Sequence, residues 1–454
     1  MRSPRSAPTR SRALLVSALL AAFAAGCGGE SDPTSSGAEP LDAAFSLQLG
    51  PTYDNLGGPY GPAEIYVIPQ GEAYAVPVTS FDEISQRDGG AVWSPDRTRL
   101  ALEDYGRGVE IVSLDAGGHV RKKLVPSDTV QWSPDGEHLL FDSSGGLVVG
   151  DANGEHGVTV GPTGSSAAWS PNGERIAISR STERNVLVTD VSGREILSIA
   201  RDGYPVWSPD SERLFIARPA AGSLPTDGGV AVSLETGDAV EIPVHGAFRG
   251  WSADSAWLAF EEPRGDADAS TRALVVASAD GTSTEELVEA ASVLFAWSPV
   301  EPVLAFSRIA GTVSLWSPSG VESTLLGAGA VSLVWSPDGS RVLATEPLAW
   351  VARDAVTEPI RTTGCRWYDD RTPFSSDGSH VLAISGVGLS VLDVEDGSEV
   401  RLASDYPESV VWLDDESVGI ATPASLSKAP IDGGQSTIVW PRPVQPGHDP
   451  HFKY

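Results

Sequence analysis

The sequence predicts an all-β fold, a single β-propeller of about eight or nine four-stranded blades. Three observations predict it: a motif that recurs nine times at near-constant spacing, the turn chemistry inside each copy, and a second hairpin pattern after it. The motif is clearest at Trp132-Ser133-Pro134-Asp135-Gly136, followed by Glu137-His138-Leu139-Leu140-Phe141. The other copies start at Trp93, Trp169, Trp207, Trp251, Trp297, Trp335, Phe374 and Trp412, and successive copies lie 39, 37, 38, 44, 46, 38, 39 and 38 residues apart.

Each copy opens on a short apolar stretch such as Ala91-Val92-Trp93 or Leu333-Val334-Trp335. The Ser-Pro-Asp-Gly that follows is a tight turn: proline presets φ, aspartate accepts from nearby amides, and glycine supplies a positive φ. An apolar run comes next, as in Leu100-Ala101-Leu102, Ile176-Ala177-Ile178 and Leu258-Ala259-Phe260. A second hairpin then follows. Residues 110–114 turn at 115–118, residues 185–190 at 191–193, and residues 389–393 at 395–397, each turn holding glycine or aspartate. Trp316-Ser317-Pro318-Ser319-Gly320 imitates the motif but stands 19 residues after Trp297, where a second hairpin should turn, so it is not counted as a blade start. The repeated indole is expected to fill the wedge between blades. The turn aspartate is expected to shape the turn rather than to catalyse, since Asn172 and Val300 replace it in two copies.

These residues resemble the WD40-like, or PD40, repeat of the TolB type, whose pattern runs Trp-Ser-Pro-Asp-Gly, then Ile-Ala-Phe, then a second hairpin. The likeness spans residues 63–442. The copies at Trp93, Trp132, Trp169, Trp207 and Trp335 are close. Ala253 replaces proline after Trp251, Ser298-Pro299-Val300-Glu301 follows Trp297, Phe374 replaces the indole, and Trp412-Leu413-Asp414-Asp415 is degenerate. The resemblance implies the propeller and says little of function. It also has a departure: TolB-type proteins place a sizeable α/β domain before six blades, and here too little chain precedes too many repeats.

In chain order, residues 1–26 read as a secretory signal, with Arg2, Arg5, Arg10 and Arg12 before an apolar run over 13–25. That run is short for a membrane span. Ala24-Ala25-Gly26-Cys27 resembles a bacterial lipobox, which implies that Cys27 is lipidated and becomes the mature N-terminus. Ordinary cleavage near Ala25 is the alternative. Gly28 stands where an aspartate would imply inner-membrane retention, so the resemblance implies the outer membrane, facing the periplasm or the cell surface. Residues 27–60 are expected to be a flexible Gly/Ser/Pro/acidic tether, 61–442 the propeller and 443–454 a tail. Residues 65–78 look like half a blade. Pairing it with the strands at 412–421 would close a ring of nine, whereas failure of one weak copy would leave eight.

The longest intervals hold the segments 219–227 and 262–268, read as extended loops of the kind that carry binding. Arg366, Trp367, Tyr368 and Arg371 form a further irregularity, suited to an interface or to packing around Phe374. Cys365 has no partner if Cys27 carries lipid and is expected to be a buried small hydrophobe.

The formal charge is −30, and removing residues 1–26 takes away four arginines and no acid, which deepens it to −34. Such a field disfavours nucleic acid and anionic membrane, and a charged partner should be basic or bridged by divalent cations. No Gly-x-Ser-x-Gly, His-Glu-x-x-His, Cys-x-x-Cys or Walker loop occurs, and the seven histidines are dispersed, with His119 and His156 near second-hairpin turns and His138 and His380 just after first turns. His448 and His451 lie in the tail. Neither catalytic residues, metal ligands nor a cofactor are therefore assigned. The expected function is a membrane-anchored, extracytoplasmic, non-catalytic module that binds an envelope protein or peptide. The alternative is a propeller that binds or cleaves an extracellular glycan or peptide, with or without metal.

Overall fold

Alternation along a single strand explains the architecture. In Arg213–Ala217, Leu214 and Ile216 join an apolar cluster with the preceding repeat, while Phe215 and Ala217 join a cluster with the following one. A strand whose two faces are both covered carries apolar residues at every position. That is why the middle strands of each repeat read as near-continuous hydrophobic runs, such as Arg175–Arg180 and Asn185–Asp190 with four buried residues apiece. Outer strands such as Glu195–Ile199 have one buried residue and face solvent.

The computed structural model of the protein describes residues 41–48, 63–69, 76–77, 91–96, 98–104, 108–114, 120–125, 127, 130–218, 228–264, 271–290, 293–308, 312–327, 332–344, 349–352, 360–361, 365–366, 373–385, 388–404, 407, 409–421 and 425–441. These form an all-β propeller with nine four-stranded antiparallel sheets, here blades 1 to 9, and one three-stranded sheet. The blades occupy residues 91–125, 130–161, 166–199, 204–242, 247–290, 293–327, 333–361, 365–403 and 409–441. Every described pair of successive blades shares an apolar cluster, eight clusters for eight interfaces. No described helix is long and apolar enough to cross a membrane.

All nine copies form blades, including the weak ones. Trp316 is the penultimate residue of the third strand of blade 6, Thr312–Ser317, which turns back into Gly320–Gly327, as its spacing required. The copy at Phe374 is the most altered. Its first strand, Cys365–Arg366, pairs with Ser385 and Ile384, and Phe374 makes a separate bridge to Val381, so the motif position stands apart from the strand that precedes it.

Two expectations are corrected. Trp412 does not complete a blade begun at Ile65. The strands Ser409–Asp414 and Ser417–Ala421 continue into Ser425–Pro430 and Thr437–Pro441, which supply the outer half locally. Ile65 instead lies in Ala63–Pro69, which pairs with Leu41–Gln48 and Val76–Pro77 as a separate three-stranded sheet. The strand Leu41–Gln48 thus falls within the stretch expected to be tether. Leu41, Ala43, Phe45 and Leu47 alternate with polar or small residues there, a period-2 pattern that a reading by composition overlooks. The leader, Cys27, the segments 219–227 and 265–268, residues 367–372, His119 and the tail lie outside the described residues.

Candidate functional site

The antiparallel order gives the propeller two unlike ends. Each first strand runs into the Ser-Pro-Asp-Gly turn and each third strand into the second hairpin turn, so both turns lie at one end of a blade. The connections between second and third strands, and those between blades, lie at the other.

At the turn end the repeat residues are consumed by structure. Six of the motif indoles donate Nε1–H to the carbonyl of the residue just before the motif position in the preceding blade. The bonds are Trp132 to Val92 (3.3 Å), Trp169 to Gln131 (3.3 Å), Trp207 to Ala168 (3.0 Å), Trp251 to Val206 (3.3 Å), Trp335 to Ala296 (2.8 Å) and Trp412 to Pro373 (3.2 Å). One contact thereby fills the wedge and satisfies an inner-strand carbonyl. Trp93 opens blade 1 half-buried, and Phe374 is buried but has no N–H to give. Trp297 departs from the rule, since its buried Nε1 has no partner. The acceptor position in blade 5 is Gly250, which adjoins a β-bulge between Phe248 and Gly250, and a bulge re-aims backbone groups.

The turn serine was not singled out from sequence, yet it is fully buried in most copies: Ser133, Ser170, Ser208, Ser252, Ser336 and Ser375 are each 0% exposed. Ser208 shows why. Its Oγ donates to Asp210 Oδ1 at 2.6 Å and accepts from Arg213 N at 2.9 Å, while Asp210 Oδ1 also accepts from Glu212 N. Blades 4 and 5 put Ser211 and Ser255 at the turn's glycine position, with φ of 63° and 60°. Their hydroxyls accept from Asn172 N (3.1 Å) and Asp210 N (3.0 Å) of the preceding blades, and Arg175 and Arg213 donate to their carbonyls. Bonds between blades thus accompany a backbone conformation that disfavours side chains.

The second turns repeat the device. Asp190 accepts from the Ser192 hydroxyl and from Arg194, and its carboxyl is lowered to about 2. Asp280 accepts from the hydroxyls of Ser278 and Thr282 and is also lowered to about 2. For a carboxyl depressed on folding, the stabilisation is complete above the unfolded value near 4 and is lost as pH falls through the folded value. Asp190 and Asp280 are therefore expected to be among the last carboxyls to protonate. Their contribution to stability should fade between about pH 4 and pH 2, a window readable by carboxyl-carbon NMR titration against Asp190→Asn. Midpoints near 4 at both sites would remove the claim.

Two groups of potential metal donors occur among the described residues, both on blade 2: Asp135, Glu137 and His138 at its first turn, and Asp151, Glu155 and His156 at its second. In the second group His156 Nδ1 already lies 2.8 Å from Asp151 Oδ2. That bond and the negative charge of Asp151 raise the imidazole pKa. Among the described residues, neither group draws donors from more than one blade.

The other end carries the larger irregularities. Tyr204 opens the inner strand of blade 4 and is 52% exposed, with Val206 on the same face of the strand at 37%. Tyr204, Ala217, Gly229 and Ile242 form one row across the blade. Beside this row Glu241 accepts from both Arg201 and Arg218. On blade 5, Arg249 pairs with Glu261, while Arg264 pairs with Glu262 and Glu286. The described residues that bound 219–227 and 265–270, namely Arg218, Gly228, Arg264 and Thr271, lie at this same end. Sequence reading picked out those segments but not Tyr204 or the paired arginines, which come from separate strands and connections.

No family model matches the chain, and no curated protein matches it. Among solved structures, a crystal structure of a eukaryotic initiation factor matches over 77% of this chain and 100% of its own, at 13% identity and a TM-score of 0.51. A putative TolB from Agrobacterium tumefaciens matches over 49% and 91%, at 22% identity and a TM-score of 0.30. The dihydro-heme d1 dehydrogenase NirN in complex with DHE matches over 82% and 74%, at 15% identity and a TM-score of 0.41. The first shows a shared fold, and at these identities none of the three transfers an activity or a partner.

Proposed function

We propose that this protein is an extracytoplasmic binding module, anchored to the bacterial envelope by lipid on Cys27, that holds an envelope protein or peptide at the loop end of blades 4 and 5. The observation that carries the reading is exposed Tyr204 with Val206 on the inner strand of blade 4, at the end where Arg201, Arg218 and Arg249 hold ion pairs with Glu241 and Glu261. Tyrosine and arginine are the side chains most enriched among residues that dominate interface energies, and a large half-exposed aromatic ring on a rigid strand loses little entropy when covered. Among the described residues the turn end also exposes apolar side chains, Val300 and Ile438 among them, but these are aliphatic, and its repeat serines, aspartates and tryptophans mostly bond within and between blades. The strongly negative overall charge favours a basic partner.

The test is a crosslinking pull-down of the lipidated protein from native membranes, comparing wild type with Cys27→Ala and with Tyr204→Ala. The expected result is an envelope partner recovered with wild type, reduced with Cys27→Ala and lost with Tyr204→Ala while the latter stays membrane-bound. A protein that elutes alone, or a partner captured equally by the Tyr204 variant, would overturn the reading.

A further inference from the structure

We propose that the first turn of blade 2 is a binding site for a divalent first-row transition-metal ion, of which Zn²⁺ is the representative, held by the imidazole of His138 and the carboxylates of Asp135 and Glu137. The donor atoms of these three side chains lie within 4.8 Å of one another. Ligands of one tetrahedral zinc ion stand about 3.2–3.6 Å apart, given bonds near 2.0–2.2 Å, so the exposed Glu137 side chain needs only a small swing to close the set.

The independent observation is at His138. Its Nδ1 is buried and has no hydrogen-bond partner, which is rare because such a nitrogen loses its water without compensation. The same repeat position supplies an internal comparison in blade 8. There His380 Nδ1 lies 2.7 Å from Ser379 Oγ, and its Nε2 lies 4.0 Å from Asp393 Oδ2. The fold can therefore satisfy a histidine here with protein groups alone. Blade 2 puts Glu137 where blade 8 has Ser379, which replaces the hydroxyl partner by a second carboxylate. No protein hydrogen bond to Nδ1 competes with an ion for the imidazole of this half-buried side chain.

The remaining donors are compatible with an ion. Asp135 uses Oδ1 for the turn, accepting from Ser133 Oγ and Glu137 N, which leaves Oδ2 for a ligand bond. The Glu137 carboxylate makes no hydrogen bond or ion pair with a described residue. One imidazole nitrogen and two carboxylates suit zinc, cobalt or nickel better than the all-oxygen preference of calcium and magnesium. Two negative charges neutralise the ion, and a three-ligand set leaves a position for water. The neighbouring Asp151, Glu155 and His156 serve as a control, because His156 is already paired with Asp151.

The test is titration of the full chain in detergent with Co²⁺, followed by its visible absorption, and with Zn²⁺ in competition. One equivalent of Co²⁺ is expected to bind and to be displaced by Zn²⁺ but not by excess Ca²⁺ or Mg²⁺. Binding should be lost in His138→Ala and in Glu137→Gln and kept in His156→Ala, with circular dichroism confirming that each variant folds. Glu137 is exposed, so its variant remains informative if His138→Ala does not fold. Absence of binding by wild type, survival of binding in Glu137→Gln, loss in His156→Ala, or displacement by Ca²⁺ would each overturn the proposal.

Discussion

Trp335→Ala is expected to lower stability by about 3–5 kcal/mol. Trp335→Phe should cost about 1–3 kcal/mol, and Trp297→Phe should leave stability unchanged or raise it. The three values follow from two separable roles of the indole. Trp335 is 6% exposed in the cluster between blades 6 and 7, among Val303, Leu315, Leu333 and Val342, so truncation opens a cavity at a junction between blades. Its Nε1 also donates to Ala296 O at 2.8 Å, and phenylalanine keeps the ring but leaves that carbonyl unsatisfied. Trp297 fills the corresponding wedge one blade earlier and stacks edge-on against Trp316 at 6.1 Å, yet its Nε1 bonds to nothing. Phenylalanine there removes a buried orphan donor and loses little packing. Shifts in the urea midpoint, followed by circular dichroism at constant slope, separate the cases. Equal losses for the two phenylalanine variants would show that the bond between blades contributes nothing.

The contrast between these tryptophans also marks how far the sequence could be read. The wedge-filling role was legible, because a large apolar residue returning every 37 to 46 positions must meet the same apolar surroundings in each copy. So was the turn role of the aspartates, whose replacement by Asn172 and Val300 fits a structural task. The bond from each indole to the preceding blade was not legible, since its acceptor is a backbone carbonyl one repeat away and any side chain can stand there. The missing bond at Trp297 depends on a bulge near Gly250, which no pattern of residue types announces. The closing partner of the ninth copy was not legible, because Ser425–Pro430, which supplies its third strand locally, is only weakly apolar, whereas Ala63–Pro69 reads as half a blade in want of a partner. At the sites, Asp-x-Glu-His was visible in sequence, but its interest depends on His138 Nδ1 being buried without a partner. Tyr204 gained its meaning only from its exposure on the inner strand of blade 4, at the end where arginines from separate strands and connections hold ion pairs.

Gly228→Ala is expected to destabilise the protein by about 2–5 kcal/mol, combining backbone strain with overpacking, and to weaken partner capture with Tyr204 intact. Gly228 has φ of +70°, and a Cβ there would lie 2.4 Å from Val244 O, a backbone atom that cannot rotate away. The position also joins three segments of the loop end. Arg218 N donates to Gly228 O at 3.1 Å, and Gly228 N donates to Gly246 O at 3.3 Å, which ties the end of the second strand of blade 4 to the connection into blade 5. A methyl group must therefore push the Gly228 segment, which is bonded to Arg218, away from the Val244–Gly246 connection that leads to Arg249. Gly164→Ala isolates the strain from the clash: its φ is +73°, but nothing lies within 4 Å of the added carbon, so a cost of about 1–2 kcal/mol is expected. If Gly228→Ala folds at low temperature, the ratio of its loss in capture to its loss in stability becomes informative. Capture that falls while the blade remains folded ties recognition to the spacing of Arg218, Tyr204 and Arg249. Capture that stays at wild-type level in a folded Gly228→Ala would place the interface elsewhere on the propeller.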